Sequence, residues 1–203
     1  MTPSPLNFRD FRCWIFDLDG TLTVPVHDFD AMRREIGLPP GVGTLEGLAA
    51  LPADQRQERR RQLDAIGWRY VEMAEPQPGA SGLLNTLQQR GCHTGLVTRN
   101  ARRNALGTLD RIGLRHHFED QAVLSRDDGV AKPAPDPIHR LMKLWQASPA
   151  ETLIVGDAIY DLEAGRAAGI PAILLDPSGN SEHRSLATHC VAHLEELSSD
   201  LPE

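Results

Sequence analysis

The segment Asp17-Leu18-Asp19-Gly20-Thr21 places two carboxylates two residues apart, directly after the apolar run Cys13 to Phe16. Alternation along an extended chain sends Asp17 and Asp19 to the same side, and Gly20 lets the backbone turn there. Two carboxylates at the end of a hydrophobic strand are costly unless something pairs with them, and a metal ion is the obvious partner. Taken alone, the segment also fits a helix cap followed by a turn. The same arrangement recurs, however. Thr98, Arg99 and Asn100 follow Leu96-Val97; Lys132 follows the third apolar run and the loop Arg126 to Gly129; Asp157 follows Leu153 to Val155, with Asp161 four positions on. Thr98 alone could be a strand-end hydroxyl, and Lys132 alone a solvated surface lysine. Each polar group comes after its strand and never before it. Ligands in open parallel sheets bind outside the carboxyl ends of the strands, so these separated residues should converge on one crevice.

The elements that must position them alternate. Apolar runs at Cys13–Phe16, Thr94–Val97, Ala122–Leu124, Thr152–Val155 and Pro171–Leu175 read as buried strands, with Cys190–Ala192 as a further edge strand. Helical spacing appears in Leu83, Leu84 and Leu87 before Gly91, in a stretch starting at an N-cap Asn100 and reaching about Gly113, in Ile138 to Trp145, and in Leu162 to Ala168 before Gly169. A short helix is expected around Leu194 to Leu197, and the tail from Ser198 should fray. This is the pattern of an α/β fold: a Rossmann-like parallel sheet covered by helices on both faces. Between Thr23 and Pro78 the alternation stops. Asp28–Ile36, Thr44–Leu51 and the long stretch Pro52–Ala74 read as helices, the last with a stripe of Leu63, Ile66, Tyr70, Val71 and Ala74. The expected organisation is a core formed by 1–22 and 79–203, interrupted by a helical cap at 23–78, with Pro25 and Pro76 to Gly79 as hinges that let the cap open.

At 203 residues the chain is long enough for such a core plus a small insertion. Its formal net charge of −7 argues against nucleic acid, whose backbone is bound by clustered cations, but not against a small phosphate. No apolar run approaches a membrane span and no leader is evident, so a cytoplasmic protein is expected. Cys13, Cys92 and Cys190 lack the spacing of a metal or redox motif and read as reduced structural thiols. The histidines show no metal-ligand spacing: His116, His117, His189 and His193 read as surface groups, and His27, beside the first hinge, as a candidate for touching substrate. Arg59-Arg60-Arg61 reads as a solvated helix face.

The four motifs DLDGT, LVTRN, AKPAPD and GDAIYD, in this order, resemble those of the haloacid dehalogenase-like hydrolase superfamily, specifically its capped phosphatases, with phosphoglycolate phosphatase as the nearest specific activity. The resemblance spans about Arg12 to Asp176. It implies that Asp17 attacks a phosphoryl phosphorus to form an aspartyl-phosphate, and that Asp19 protonates the leaving alkoxide and later activates water. It further implies Mg²⁺ held by Asp17, the Asp19 carbonyl, Asp157 and Asp161, with Thr98, Arg99 and Lys132 on the phosphate. Backbone N–H groups beside Thr98 would add to them. The implied partner is a small phosphorylated substrate, and the chain a monomer or homodimer. A phosphomutase or a true haloacid dehalogenase would use the same Asp17, and an idle binding module is the reading from another class. The chain departs from the phosphoglycolate subgroup in Thr23-Val24-Pro25, in its shorter cap, and in Ala158 after the motif aspartate.

Overall fold

A computed structural model describes residues 6–199 and 201. Six strands form one parallel sheet: β1 (Cys13–Phe16), β2 (His93–Val97), β3 (Val123–Leu124), β4 (Thr152–Gly156), β5 (Ala172–Leu175) and β6 (His189–Val191), in the order β3-β2-β1-β4-β5-β6. The first strand is central, with Phe16 opposite both Leu96 and Val155. Its residues are apolar without interruption because both faces of the sheet are covered. Trp14 and Phe16 point into a cluster with Leu84, Leu87 and Leu109, from α4 (Ala80–Gln89) and α5 (Arg102–Arg111). Ile15 points the other way, towards Ile138, Leu141 and Leu162 of α6 (Asp136–Trp145) and α7 (Ile159–Ala168). Order reverses between β1 and β4, where successive connections leave to opposite sides, so a crevice opens at their carboxyl ends. Asp17 and Asp157 stand at its two lips.

The helical segment leaves after β1. It comprises α1 (Phe29–Glu35), α2 (Thr44–Ala50) and α3 (Ala53–Met73), which share a small core of Met32, Ile36, Leu38, Leu48, Leu63 and Ile66. Asp28 starts α1 by accepting the Ala31 N–H at 2.8 Å, a side-chain N-cap. The outgoing and returning chains run antiparallel: the Val24 N–H donates to Glu75 O at 3.1 Å and the Gln77 N–H to Leu22 O at 2.9 Å. Helix α3 lies close on α5 because Gly67 offers no side chain there; a Cβ on it would stand 2.5 Å from Asn104 Nδ2. The Asn104 amide uses that gap to donate to Asp64 O at 3.1 Å.

Several expectations need correction. Asn100 is not an N-cap: α5 begins at Arg102 behind Ala101, and the Asn100 side chain turns into the crevice instead. His117 is buried at 7% exposure in the turn after α5, a segment without periodicity from which burial could be read. Arg60 and Arg61 are exposed, as the solvated-face reading expects, and Arg60 also reaches Asp127 at 2.5 Å. The tail does not fray from Ser198: α8 (Glu195–Ser199) includes it and Leu201 is buried, while residues 200, 202 and 203 lie outside the described residues.

The three cysteines are free thiols. Cys13 is 1% exposed, and burial pushes its thiol up to about 11. Since only the thiolate reacts, alkylation of the native protein at pH 7.5 should modify Cys13 about three-hundredfold more slowly than an unperturbed thiol of pKa ~8.5. Peptide mapping after timed iodoacetamide treatment checks this, and labelling of Cys13 at the rate of Cys92 or Cys190 would contradict it.

Candidate active site

At the end of β1 the chain turns through Gly20, at φ +90°, a left-handed conformation that L residues rarely adopt. The turn is also crowded, for a Cβ at this position would lie 2.3 Å from Asp157 Oδ2. Glycine therefore brings the first loop against the loop after β4. Three carboxylates meet here: oxygens of Asp17, Asp157 and Asp161 all lie within 4.8 Å of one another. Asp161 sits in the first turn of α7, its Oδ2 accepting the Ala158 N–H at 3.2 Å, and Asp157 Oδ1 accepts the Thr21 hydroxyl at 3.2 Å. Lys132 closes the group from the loop after β3. Its Nζ donates to Asp17 Oδ1 and to Asp161 Oδ1, each at 2.5 Å, and the whole residue is 2% exposed.

The charges explain the arrangement. Burial pulls the Lys132 ammonium down, but Asp161 and Asp17 outweigh it and hold the lysine protonated, above its ordinary range. One cation cannot offset three carboxylates. Burial, with Asp17 and Asp161 alongside, pushes Asp157 up to about 8, and burial pushes Asp161 to about 6 despite Lys132. A hard oxygen set that protonates for lack of positive charge fits a divalent cation, which would relieve the repulsion.

Asp19 faces away from this group, towards the helical segment. Its Oδ2 accepts the Asn100 amide at 3.2 Å, while Oδ1 is buried without a hydrogen-bond partner among the described residues, 3.8 Å from His27 Nε2. Burial raises its carboxyl above the ordinary aspartate range, with His27 opposing and Asp17 reinforcing the rise. The His27 ring stacks on Tyr70 of α3, centroids 4.4 Å apart. The rise favours the protonated form, which is the form a proton donor to a group in the crevice needs.

Thr98 is buried at the end of β2, its hydroxyl accepting the Asn100 N–H at 3.0 Å. That leaves the hydroxyl proton to donate. The neighbouring backbone offers less than expected, because the Thr98 N–H is committed to Leu124 O and the Ala101 N–H to Asn100 Oδ1. Arg99, expected on a phosphate, lines the crevice and is held there by other groups. Its guanidinium lies 3.8 Å over the Tyr160 ring, donates to the Lys132 carbonyl, and pairs with both Glu46 oxygens at 2.7 and 2.8 Å. With Glu46 of α2 neutralising it, Arg99 ties the helical segment to the Lys132 loop.

Sequence reasoning left Asn100 undecided and missed Glu46, Tyr160, Arg33 and Arg126. Arg126, which the sequence places only in the loop before Lys132, has a side chain that is 7% exposed and lines the crevice. The rule that polar residues after a strand face the ligand would have found it, since it follows β3 by two positions. The crevice these residues enclose, between the sheet ends and the three helices, has a volume of about 690 Å³. That is within the usual range for a small-molecule site. Among the described residues no helix is long and apolar enough to cross a membrane.

Comparison with known proteins agrees with this geometry. Residues 11–169 match the model of the haloacid dehalogenase-like hydrolases. N-acetylmuramic acid 6-phosphate phosphatase of Pseudomonas aeruginosa is 30% identical over 76% of this chain and 77% of its own length. A phosphoglycolate phosphatase of Chromobacterium violaceum is 29% identical over 83% of this chain and 86% of its own. The crystal structure of a hydrolase from Pseudomonas syringae superposes with a TM-score of 0.79 at 25% identity, covering 95% of this chain and all of the other (100%). With the family match spanning strands β1 to β4, the carboxylates and lysine of the crevice and the helical segment, the chain belongs to the haloacid dehalogenase-like hydrolase family.

Proposed function

We propose that the protein is a metal-dependent phosphoric monoester hydrolase acting on a small phosphorylated metabolite, with Asp17 as nucleophile and Mg²⁺ as the ion. The observation that carries this reading is the placement of Asp17: a carboxylate held at 2.5 Å by a buried lysine, within a compact carboxylate group that lines the crevice. The two relatives named above, both phosphatases of small phosphate esters, support it.

In this reading an Asp17 oxygen attacks the phosphorus in line while the ester P–O bond breaks, and Asp19 gives its proton to the departing alkoxide. Lys132 and the Thr98 hydroxyl stabilise the charge that builds on the phosphoryl oxygens, in a site preorganised by burial. Asp19, now a carboxylate, takes a proton from water as its oxygen attacks the aspartyl-phosphate. Inorganic phosphate leaves and Asp17 is restored. Asp17, Asp157 and the Asp19 carbonyl would hold the metal, with Asp161 directly or through water. Bound there, the ion supplies charge neutralisation between nucleophile and phosphate. Residues 23–78 form a cap over the core in this proposal, hinged at the antiparallel bridge between Thr23 and Pro76, and a protonable Asp19 suits an alkoxide leaving group better than the halide of a dehalogenase.

The test is release of phosphate from p-nitrophenyl phosphate, present with Mg²⁺ and absent in excess EDTA; full activity in EDTA would overturn the metal assignment. Binding has its own readout. Ligand linkage raises the melting temperature by about 5–10 °C at a hundredfold excess over Kd for a chain of this size. That rise should appear with Mg²⁺ and vanish in Asp157→Asn.

A further inference from the structure

Two guanidinium groups in the crevice have no place in the chemistry just described. Arg126 projects from the loop after β3, anchored where its N–H donates to Asn100 O at 3.2 Å, one residue from Arg99 and on the same residue that holds Asp19. Its side chain is 7% exposed, and its Nε is buried with no hydrogen-bond partner among the described residues. A buried unpartnered donor on a charged group is expensive to leave unmade. The one ion pair Arg126 makes among the described residues is to Asp64 of α3, which is 41% exposed and so keeps contact with water. Arg33 of α1 lines the same crevice and repeats the pattern: its Nε is buried and unpartnered, and its pairing carboxylate, Asp30, is 66% exposed. Arg99, by contrast, is fully engaged by Glu46 and Tyr160.

We infer that Arg126, with Arg33 lining the same crevice, binds a second anionic group of the substrate, and that the substrate is therefore a phosphomonoester carrying a carboxylate or a further phosphate. This rests on the phosphatase reading and sharpens it. A guanidinium presents Nε and Nη donors as a fork that matches such an anion with two parallel bonds. Size points the same way. A two-carbon ester would leave most of the 690 Å³ crevice empty, whereas a sugar-sized body could also contact Met32, Leu45 and Leu63, which line it with the two arginines.

The experiment compares kcat/KM on matched pairs of esters, for the unaltered protein, Arg126→Gln and Arg126→Lys. One pair is N-acetylmuramic acid 6-phosphate and N-acetylglucosamine 6-phosphate, which differ by a lactyl carboxylate. The other is fructose 1,6-bisphosphate and fructose 6-phosphate, which differ by a phosphate. The unaltered protein should prefer the doubly anionic member of one pair, and which pair it is distinguishes carboxylate from phosphate. Arg126→Gln should cut that preference by about tenfold to a hundredfold, as expected for a hydrogen bond to a charged group, with Arg126→Lys between. If Arg126 only anchors Asp64, its variants will lower kcat/KM equally for both members, and the inference fails. It also fails if the unaltered protein discriminates in neither pair. Absence of phosphate release from every ester, p-nitrophenyl phosphate included, would instead overturn the phosphatase reading itself.

Discussion

Asp17→Asn is expected to reduce phosphate release from p-nitrophenyl phosphate by roughly 10⁴-fold or more, the scale seen when a nucleophile is removed from machinery that otherwise stays in place. The fold should not change. Asparagine has the shape of aspartate and keeps a carbonyl oxygen to accept the Lys132 ammonium, now 2.5 Å from Asp17 Oδ1. Removing one of three crowded carboxylates also relieves repulsion, so the melting temperature in EDTA should hold or rise. Steady-state assays beside thermal melts check both halves. A variant that is folded and still turns over robustly would remove Asp17 from the chemistry.

Lys132→Met should cost stability as well as activity. Lys132 is 2% exposed, and its ammonium is the cation hydrogen-bonded to both Asp17 and Asp161. Methionine fills the volume but leaves both carboxylates uncompensated. Breaking a buried ion pair on one side costs about 3–5 kcal/mol, which corresponds to a fall in melting temperature on the order of 10 °C for a chain of this length. Mg²⁺ should return part of that loss by supplying the missing positive charge. Activity should fall by about 10²–10³-fold through lost stabilisation of the phosphoryl oxygens. An unchanged melting temperature in EDTA would mean that the carboxylates are satisfied by other groups, contrary to the geometry.

The sheet was legible because its strands are short, apolar and followed by polar residues, and the helices because their stripes recur at helical spacing. The grouping of Asp17, Lys132, Asp157 and Asp161 follows from parallel topology alone: residues after successive strands of one sheet must meet at one edge. What escaped was set by contacts between segments distant in the chain. Arg99 looked available for phosphate because nothing near it in sequence announces Glu46, which arrives only when α2 folds over the crevice. Asn100 resembled a helix cap, but Asp19 competes for its side chain. His117 and Arg126 lie in turns with no period, where burial depends on what packs above; for Arg126 that is α3, close-set by Gly67.

The most direct test of the account is to trap the intermediate. The protein is mixed with substrate and Mg²⁺, quenched in acid during turnover, and treated with borohydride, which reduces an aspartyl-phosphate to homoserine. Peptide sequencing by mass spectrometry should then find homoserine at position 17, dependent on both substrate and metal, and aspartate at position 19. Turnover with unmodified aspartate at position 17, or modification at Asp19 in its place, would contradict the proposed mechanism.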